Sequence, residues 1–154
     1  MKDGVESAEP ARKAIPVQEG LFTMPSSLGA KGHLIGTRCR SCEETFFGRL
    51  SVCGHCQGQD LEEIRLSDRG KIFNYTVLRY PPPAPWKGQS EPYEPLAVGF
   101  VELPEGVRVL SLITDCNVEK LENQMEVDLV IRKYFEDEEG NEVYTYMFRP
   151  SSGK

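Results

Sequence analysis

Residues 39–56 read C-R-S-C, then E-E-T-F-F-G-R-L-S-V, then C-G-H-C, so Cys39 and Cys42 form one C-x-x-C pair and Cys53 and Cys56 another. A C-x-x-C turn lets two thiolates converge on one ion, and a second such turn completes a tetrahedron with Zn–S distances of roughly 2.3 Å. Four sulfurs leave no open position for a water, so a metal held here is structural and contributes folding energy. The pattern predicts a zinc ribbon with these four cysteines as ligands and Zn2+ as a structural cofactor. Rubredoxin-like iron and paired disulfides are the alternatives. Iron would require an electron-transfer partner, and nothing else in the chain suggests a flavin or haem site. Disulfides fit poorly with the polar stretch from Met1 to Gly20, which carries Lys2, Asp3, Glu6, Glu9, Arg12 and Lys13 and lacks the apolar centre of a signal peptide. That stretch points to a cytoplasmic chain with reduced thiols. His55, inside the second pair, is an alternative ligand, but the turn geometry favours the flanking cysteines and leaves His55 facing solvent.

Outside the ribbon, 154 residues at 39% hydrophobic suit one medium domain or two small ones. No apolar run approaches the roughly 20 residues needed to cross a membrane. A net charge of -6 would repel a phosphate backbone unless the cations gathered on one face. Residues 1–20 mix charges with Gly and Pro without a period and read as a flexible extension; residues 21–66 read as the ribbon, 67–150 as a second domain and 151–154 as a tail. A helix or turn is expected around Pro25, Ser26 and Ser27. H-L-I-G-T-R then enters the first cysteine pair as a strand, and Glu62 to Leu66 returns as the last one. Phe46, Phe47 and Leu50 are the apolar residues expected to pack against the metal turns.

After the turn cluster Ser67-Asp68-Arg69-Gly70 the pattern becomes strands between Pro- and Gly-rich connections. K-I-F-N-Y-T-V-L-R-Y, L-A-V-G-F-V-E-L and V-R-V-L-S-L-I-T read as three strands, the last two joined by P-E-G with Gly106 at positive φ. Asn117 caps a helical turn over Val118 to Asn123. M-E-V-D-L-V-I-R-K-Y-F and V-Y-T-Y-M-F-R follow, the latter with Val143, Thr145 and Met147 on one face and Tyr144, Tyr146 and Phe148 on the other. Five strands with a helical turn between the third and fourth predict a mainly β chain: an N-terminal rubredoxin-like zinc ribbon followed by a five-stranded OB-fold barrel. A small sandwich is the competing architecture.

The run R-C-R-S-C to V-C-G-H-C, followed by G-K-I-F-N-Y-T-V and P-E-G-V-R-V-L, resembles the zinc-ribbon OB-fold (DUF35-like) proteins that accompany thiolases, over about Gly32 to Pro150. More narrowly, the chain is similar to the small subunits of benzoylsuccinyl-CoA thiolases of anaerobic toluene degradation. The resemblance implies a non-catalytic accessory subunit that binds a thiolase-fold large subunit in a hetero-oligomer such as α2β2, with acyl-CoA or CoA at or near the interface. Two departures stand out: Leu50-Ser51-Val52 replaces prolines before the third cysteine, and Asn123-Gln124 replaces a glycine turn before the fourth barrel strand.

An accessory role also agrees with what the residues lack. Thiolase chemistry uses a cysteine nucleophile with histidines as acid and base. The one cysteine outside the ribbon, Cys116, has no histidine near it in sequence, and His33 lies in a polar run that reads as surface. Cys116 reads as a small packed residue. For partner contact, the proline-stiffened segment Tyr80 to Pro95 offers Trp86 and Tyr93 as anchors, with an ordinary long loop as the plainer reading. For CoA phosphates, Arg38, Arg40, Arg49 and Lys71 flank the ribbon and the junction, although solvated surface charge explains them better. The runner-up function is single-strand nucleic-acid binding, with Tyr75, Tyr144, Tyr146 and Phe148 as stacking residues; the acidic balance opposes it. An iron-ribbon electron carrier is the third reading.

Overall fold

The computed structural model describes residues 13–25, 31–80 and 94–151. Among these residues are nine strands: β1 (Ala14–Pro16), β2 (Ile35–Cys39), β3 (Thr45–Phe47), β4 (Leu61–Arg65), β5 (Arg69–Leu78), β6 (Leu96–Glu102), β7 (Arg108–Ile113), β8 (Glu126–Glu136) and β9 (Glu142–Pro150). Between β7 and β8 lies one 3-10 turn, Val118–Lys120, whose N-cap Asn117 accepts a hydrogen bond from the Glu119 N–H, so the expected helical turn is present but shorter.

The ribbon is a three-stranded antiparallel sheet with β2 in the centre, flanked by β3 and β4. β2 carries Gly36 because Leu66 lies over it. A Cβ at residue 36 would stand 2.7 Å from Leu66 Cδ2, so any larger residue forces the two apart.

The second region closes on itself. β5 pairs antiparallel with β6, β6 with β7, β8 with β9, and β8 with the start of β5. A parallel contact between β7 and β9, at Ile113 and Phe148, completes the ring. This is a five-stranded Greek-key barrel of the OB type, as the strand count and the position of the helical turn predicted. Alternation along the strands explains the inward set: on β7, Val109, Ser111 and Ile113 are buried between exposed or half-buried neighbours. The P-E-G connection turns tightly with Gly106 at φ 89°, its N–H donating to Leu103 O at 2.9 Å.

β9 departs from simple two-face alternation. Its register slips between Val143 and Tyr144, a β-bulge, and both Met147 and Phe148 are buried. Phe148 points into the barrel core with Tyr144 and Tyr146 packed beside it. Residues 14–16, within the stretch read as an extension, form β1, which pairs in parallel with β9 from Glu142 to Tyr144. Three residues held by main-chain hydrogen bonds carry no side-chain period to announce a strand.

Ribbon and barrel share one apolar core. Phe22 and Leu34 from the ribbon side and Leu66 from the junction cluster with Ile72, Val101 and Phe148. The Leu66 N–H donates to Leu34 O at 3.1 Å, and Glu105 Oε2 accepts from both Ser67 N (3.0 Å) and Ser67 Oγ (2.7 Å), fixing the junction against the β6–β7 turn.

Candidate metal centre

The two cysteine turns are conformational copies of one another. In the first, Cys39 N–H donates to Glu44 O at 2.9 Å and Glu43 N–H to Cys39 O at 2.8 Å. In the second, Cys53 N–H donates to Gly58 O at 2.9 Å and Gln57 N–H to Cys53 O at 3.0 Å. The residue after each pair takes a left-handed conformation, Glu43 at φ 68° and Gln57 at φ 65°. This bend swings the main chain away and turns its N–H groups toward the sulfurs, with His55 N at 3.2 Å and Cys56 N at 3.3 Å from Cys53 Sγ.

The four sulfurs lie within 4.8 Å of one another. Cys39 Sγ stands 3.6 Å from Cys56 Sγ, and Cys42 Sγ 3.6 Å from Cys53 Sγ. A tetrahedron with metal–sulfur bonds of about 2.3 Å has edges of about 3.8 Å, so the donor set fits such an ion closely. None of the five cysteines is disulfide-bonded, and the 3.6 Å separations exceed an S–S bond of about 2.05 Å, against the disulfide alternative. His55 is exposed, contributes its N–H to Cys53 Sγ, and stands outside the ligand group.

Hydrogen bonding divides the thiols electrostatically. The Cys56 and His55 N–H groups hold Cys53 down at about 6, against the opposing pull of burial. The Cys42 N–H lowers Cys39 in the same way. Cys42 receives the Glu44 N–H, which lowers it, yet burial and its three sulfur neighbours outweigh that and push it up to about 12. Cys56, despite the Gly58 N–H, is likewise raised, chiefly by Cys39. Hydrogen bonding and burial together thus favour the charged form at Cys39 and Cys53 and oppose it at Cys42 and Cys56. A bound divalent ion reverses the balance and deprotonates all four.

The aromatic residues between the pairs divide their duties. Phe46 lies over the second turn, with its ring edge 3.6 Å from where a Cβ of Gly54 would stand. Phe47, expected at the metal turns, instead meets Tyr146 edge-on with ring centroids 5.4 Å apart, so it joins ribbon to barrel. Leu50, also expected there, is 37% exposed. Consecutive strand residues point to opposite faces, which is why Phe46 and Phe47 cannot both cover the ion.

Three of the four cations considered for phosphate binding are already engaged. Arg38 reaches Glu43 at 3.8 Å and Glu62 at 3.7 Å, Arg40 reaches Asp60 at 2.8 Å and Glu62 at 3.5 Å, and Arg49 reaches Glu63 at 2.9 Å. The β2–β4 register sets Arg38 directly opposite Glu62. Lys71 is separate from them, exposed at the start of β5. Trp86 and Tyr93 lie outside the described residues, as do Ser26 and Ser27.

Cys116 is half-buried against the core, its S–H directed at Ile113 O at 3.6 Å, and burial pushes its pKa up. His33 is half-buried, not surface as expected, with Nδ1 3.4 Å from Thr23 Oγ1. The aromatics considered for base stacking have structural employment. Phe148 is fully buried, Tyr75 Oη donates to Leu121 O at 2.8 Å, and Tyr146 Oη donates to Leu110 O at 3.0 Å. Tyr144 packs against the same core.

Fold and site together define a four-thiolate metal ribbon joined to an OB-fold barrel. Residues 27–62 match the family model described as ChsH2, rubredoxin-like zinc ribbon domain, and residues 63–132 that described as ChsH2, C-terminal OB-fold domain. The two matches span more than half of the chain, which belongs to this ChsH2-type (DUF35) family. β9 closes the barrel from beyond the matched residues. Among curated relatives, a DUF35 domain-containing scaffold protein of Methanocaldococcus jannaschii is 34% identical over 119 residues, 76% of this chain and 81% of that one. The benzoylsuccinyl-CoA thiolase subunit BbsA of Thauera aromatica is 27% identical over 121 residues, 79% of this chain and 78% of that one. Among solved structures, a chain of an Ltp2-ChsH2(DUF35) aldolase aligns with a TM-score of 0.59 and 26% identity over 77% of this chain and 84% of that chain. Among the described residues, no helix is long and apolar enough to cross a membrane.

Proposed function

We infer that this chain is a non-catalytic, cytoplasmic accessory subunit of a thiolase-type acyl-CoA enzyme complex, stabilising a thiolase-fold large subunit in a hetero-oligomer such as α2β2. The observation that carries this reading is the closed thiolate site. An ion held by all four cysteines of the cluster would have no position for substrate or water. The remaining described cysteine, Cys116, points its S–H at a main-chain carbonyl with no histidine in contact, so it lacks a base to activate it. Chemistry on an acyl-CoA would therefore belong to a partner.

The relatives' names support the partner class. A thiolase subunit and an aldolase complex both work on carbon–carbon bonds, and the scaffold name describes assembly. The metal in this reading is structural zinc. Iron would give the purified chain a visible colour. A finer assignment is benzoylsuccinyl-CoA thiolysis in anaerobic toluene degradation. It draws support from the 27% identity to BbsA, whereas the 34% identity to the scaffold protein favours the broader role.

The test is affinity purification of the tagged chain from its native cell, with mass spectrometry of co-purifying proteins and an assay for CoA-dependent thiolysis. A stoichiometric thiolase-fold partner is expected. Recovery of the chain alone, or with nucleic acid, would overturn the reading. Benzoylsuccinyl-CoA turnover by the purified complex decides the finer assignment.

A further inference from the structure

β6 and β7 are apolar at positions that strand alternation assigns to solvent. On β6, Ala97, Gly99 and Val101 are buried, and on β7 Val109, Ser111 and Ile113 are buried. The intervening, outward positions carry Val98, Phe100, Leu110 and Leu112, where a sheet with one wet face places polar residues. Of the large apolar side chains left exposed among the described residues, Phe100, at 39%, and Leu110, at 52%, are the two that stand directly opposite each other in register. Strands written in this way are built to be covered on both faces.

The register arranges the outer face as rows, each setting a β6 residue beside a β7 residue: Val98 beside Leu112, Phe100 beside Leu110, and Glu102 beside Arg108. In the last row the charges are opposite, with Arg108 Nε 3.6 Å from Glu102 Oε2. The guanidinium carbon also lies 3.6 Å from the centre of the Phe73 ring, whose face holds the cation against the sheet. Each row joins two residues that suit one another, and this makes the face complementary to itself. A two-fold axis running along the strands between β6 and β7 lays β6 of one copy over β7 of the other. Phe100 then meets Leu110, Val98 meets Leu112 and Glu102 meets Arg108, every contact occurring twice. Aligned sheets pack face to face in this manner, about 10 Å apart.

The extent of the face also selects its occupant. These outward residues fall well short of the roughly 20–30 a side of a standard interface, too few to hold a large subunit permanently. Two-fold doubling of each contact suits a weak pair of like chains. Single-stranded nucleic acid is opposed by Glu102 within the face and by a net charge of -6.

We propose that the outer face of β6 and β7 binds the same face of a second copy of this chain, forming a two-fold dimer with Phe100 and Leu110 at its centre and crossed Glu102–Arg108 pairs at its rim. This assignment goes beyond the accessory-subunit reading and does not depend on it.

Sedimentation velocity of the full, zinc-loaded chain, from about 1 to 500 μM, should show a monomer–dimer equilibrium with a dissociation constant of about 10–100 μM. Leu110→Glu, at an exposed position, should weaken association at least about tenfold, with bound zinc and the urea midpoint unaltered. Charge reversal is the sharper test. E102R alone and R108E alone each place like charges across the axis and should sediment as monomers. An equimolar mixture of the two variants brings opposite charges together at both ends of the row and should sediment as a dimer. A wild-type chain monomeric throughout that range, a dimer indifferent to Leu110→Glu, or a mixture no more associated than its components would each overturn the proposal. Hydrogen exchange identifies any other occupant. Protection of β6 and β7 that appears only in a captured heteromeric complex would give the face to that partner, and protection by a single-stranded oligonucleotide would give it to nucleic acid; either result overturns the dimer.

Discussion

Between Gly36 and Arg65 the only buried hydrophobic side chains are Cys39 and Cys53, two metal ligands. The barrel, by contrast, buries Ile72, Val101, Val109, Ile113, Val127 and Phe148 in one cluster. Both regions are antiparallel sheets of similar hydrogen bonding, yet only one has enough apolar interior to offset the entropy of ordering its chain. In place of that interior the ribbon gathers four cysteine sulfurs within 4.8 Å of one another, a donor set suited to coordination bonds. The contrast teaches where each region is vulnerable: the ribbon to loss of its ion, the barrel to loss of volume, and their shared boundary at Leu34 and Leu66 to anything that pries the two apart.

Metal removal should separate the two regions most sharply. Coordination in structural zinc sites is worth about 10–16 kcal/mol of apparent binding energy, and little else holds residues 39–58. Chelation, or Cys53→Ser, is expected to abolish amide protection across β2–β4 while β6 and β7 keep much of theirs. Hydrogen exchange checks this, and an unchanged ribbon after metal loss would erase the distinction. Phe148→Ala attacks the other side. Removing a fully buried ring at the β7–β9 closure should cost about 3–5 kcal/mol in urea denaturation, with bound metal per folded chain unchanged.

The boundary is probed by Gly36→Ala. The added methyl meets Leu66 Cδ2 at 2.7 Å and Cγ at 2.9 Å, so overpacking should cost about 1–3 kcal/mol and lower both ribbon protection and barrel stability. An effect confined to one region would mean the regions are less coupled than their common core indicates.

A smaller effect comes from the barrel's charged edge. Asp115 is held below the usual carboxylate range first by the bidentate hydrogen bonds of Arg132, at 3.1 and 2.9 Å. A depressed carboxylate pKa contributes stability above its unfolded value, and that contribution disappears as pH falls through the lower folded value. Asp115→Asn should therefore flatten the acid limb of the stability profile by less than about 1 kcal/mol, because the pair is partly exposed and screened. The ribbon's exposed pairs, Arg40–Asp60 and Arg49–Glu63, should contribute no more.

These contrasts follow how legible each part was in the sequence. The metal ligands could be read directly because coordination chemistry constrains spacing more tightly than packing does. The five barrel strands were legible to within a residue or two, since β-branched runs between turn residues leave few alternatives. β1 was not, because its pairing uses main-chain groups alone. The commitment of Arg38, Arg40 and Arg49 was hidden because it depends on how β4 returns beside β2, which sets Arg38 opposite Glu62 and brings Asp60 and Glu63 within reach of Arg40 and Arg49. That Arg65 reaches no carboxylate was hidden for the complementary reason, since it shows only once the other described arginines have found theirs.

The smallest effects should come from the left-handed residues, and they sharpen the comparison because the same strain occurs in both regions. Gln124, in the turn before β8, takes φ 74° and keeps the turn closed by donating its N–H to Ile72 O at 2.7 Å. A left-handed conformation costs a non-glycine residue about 1 kcal/mol, while glycine adds unfolded-state entropy that offsets part of the gain. Gln124→Gly should therefore stabilise the barrel by a few tenths of a kcal/mol, visible as a higher urea midpoint with the metal affinity unaltered. Gln57, at φ 65° beside Cys56, carries the same strain in the ribbon. There the turn orders only when the ion binds, so Gln57→Gly should release its strain into coordination, raising metal affinity about twofold in a competition titration while leaving the barrel's midpoint in place. If the two substitutions instead moved the same observable, ribbon and barrel would be folding as one unit and the ion would be reporting on the whole chain.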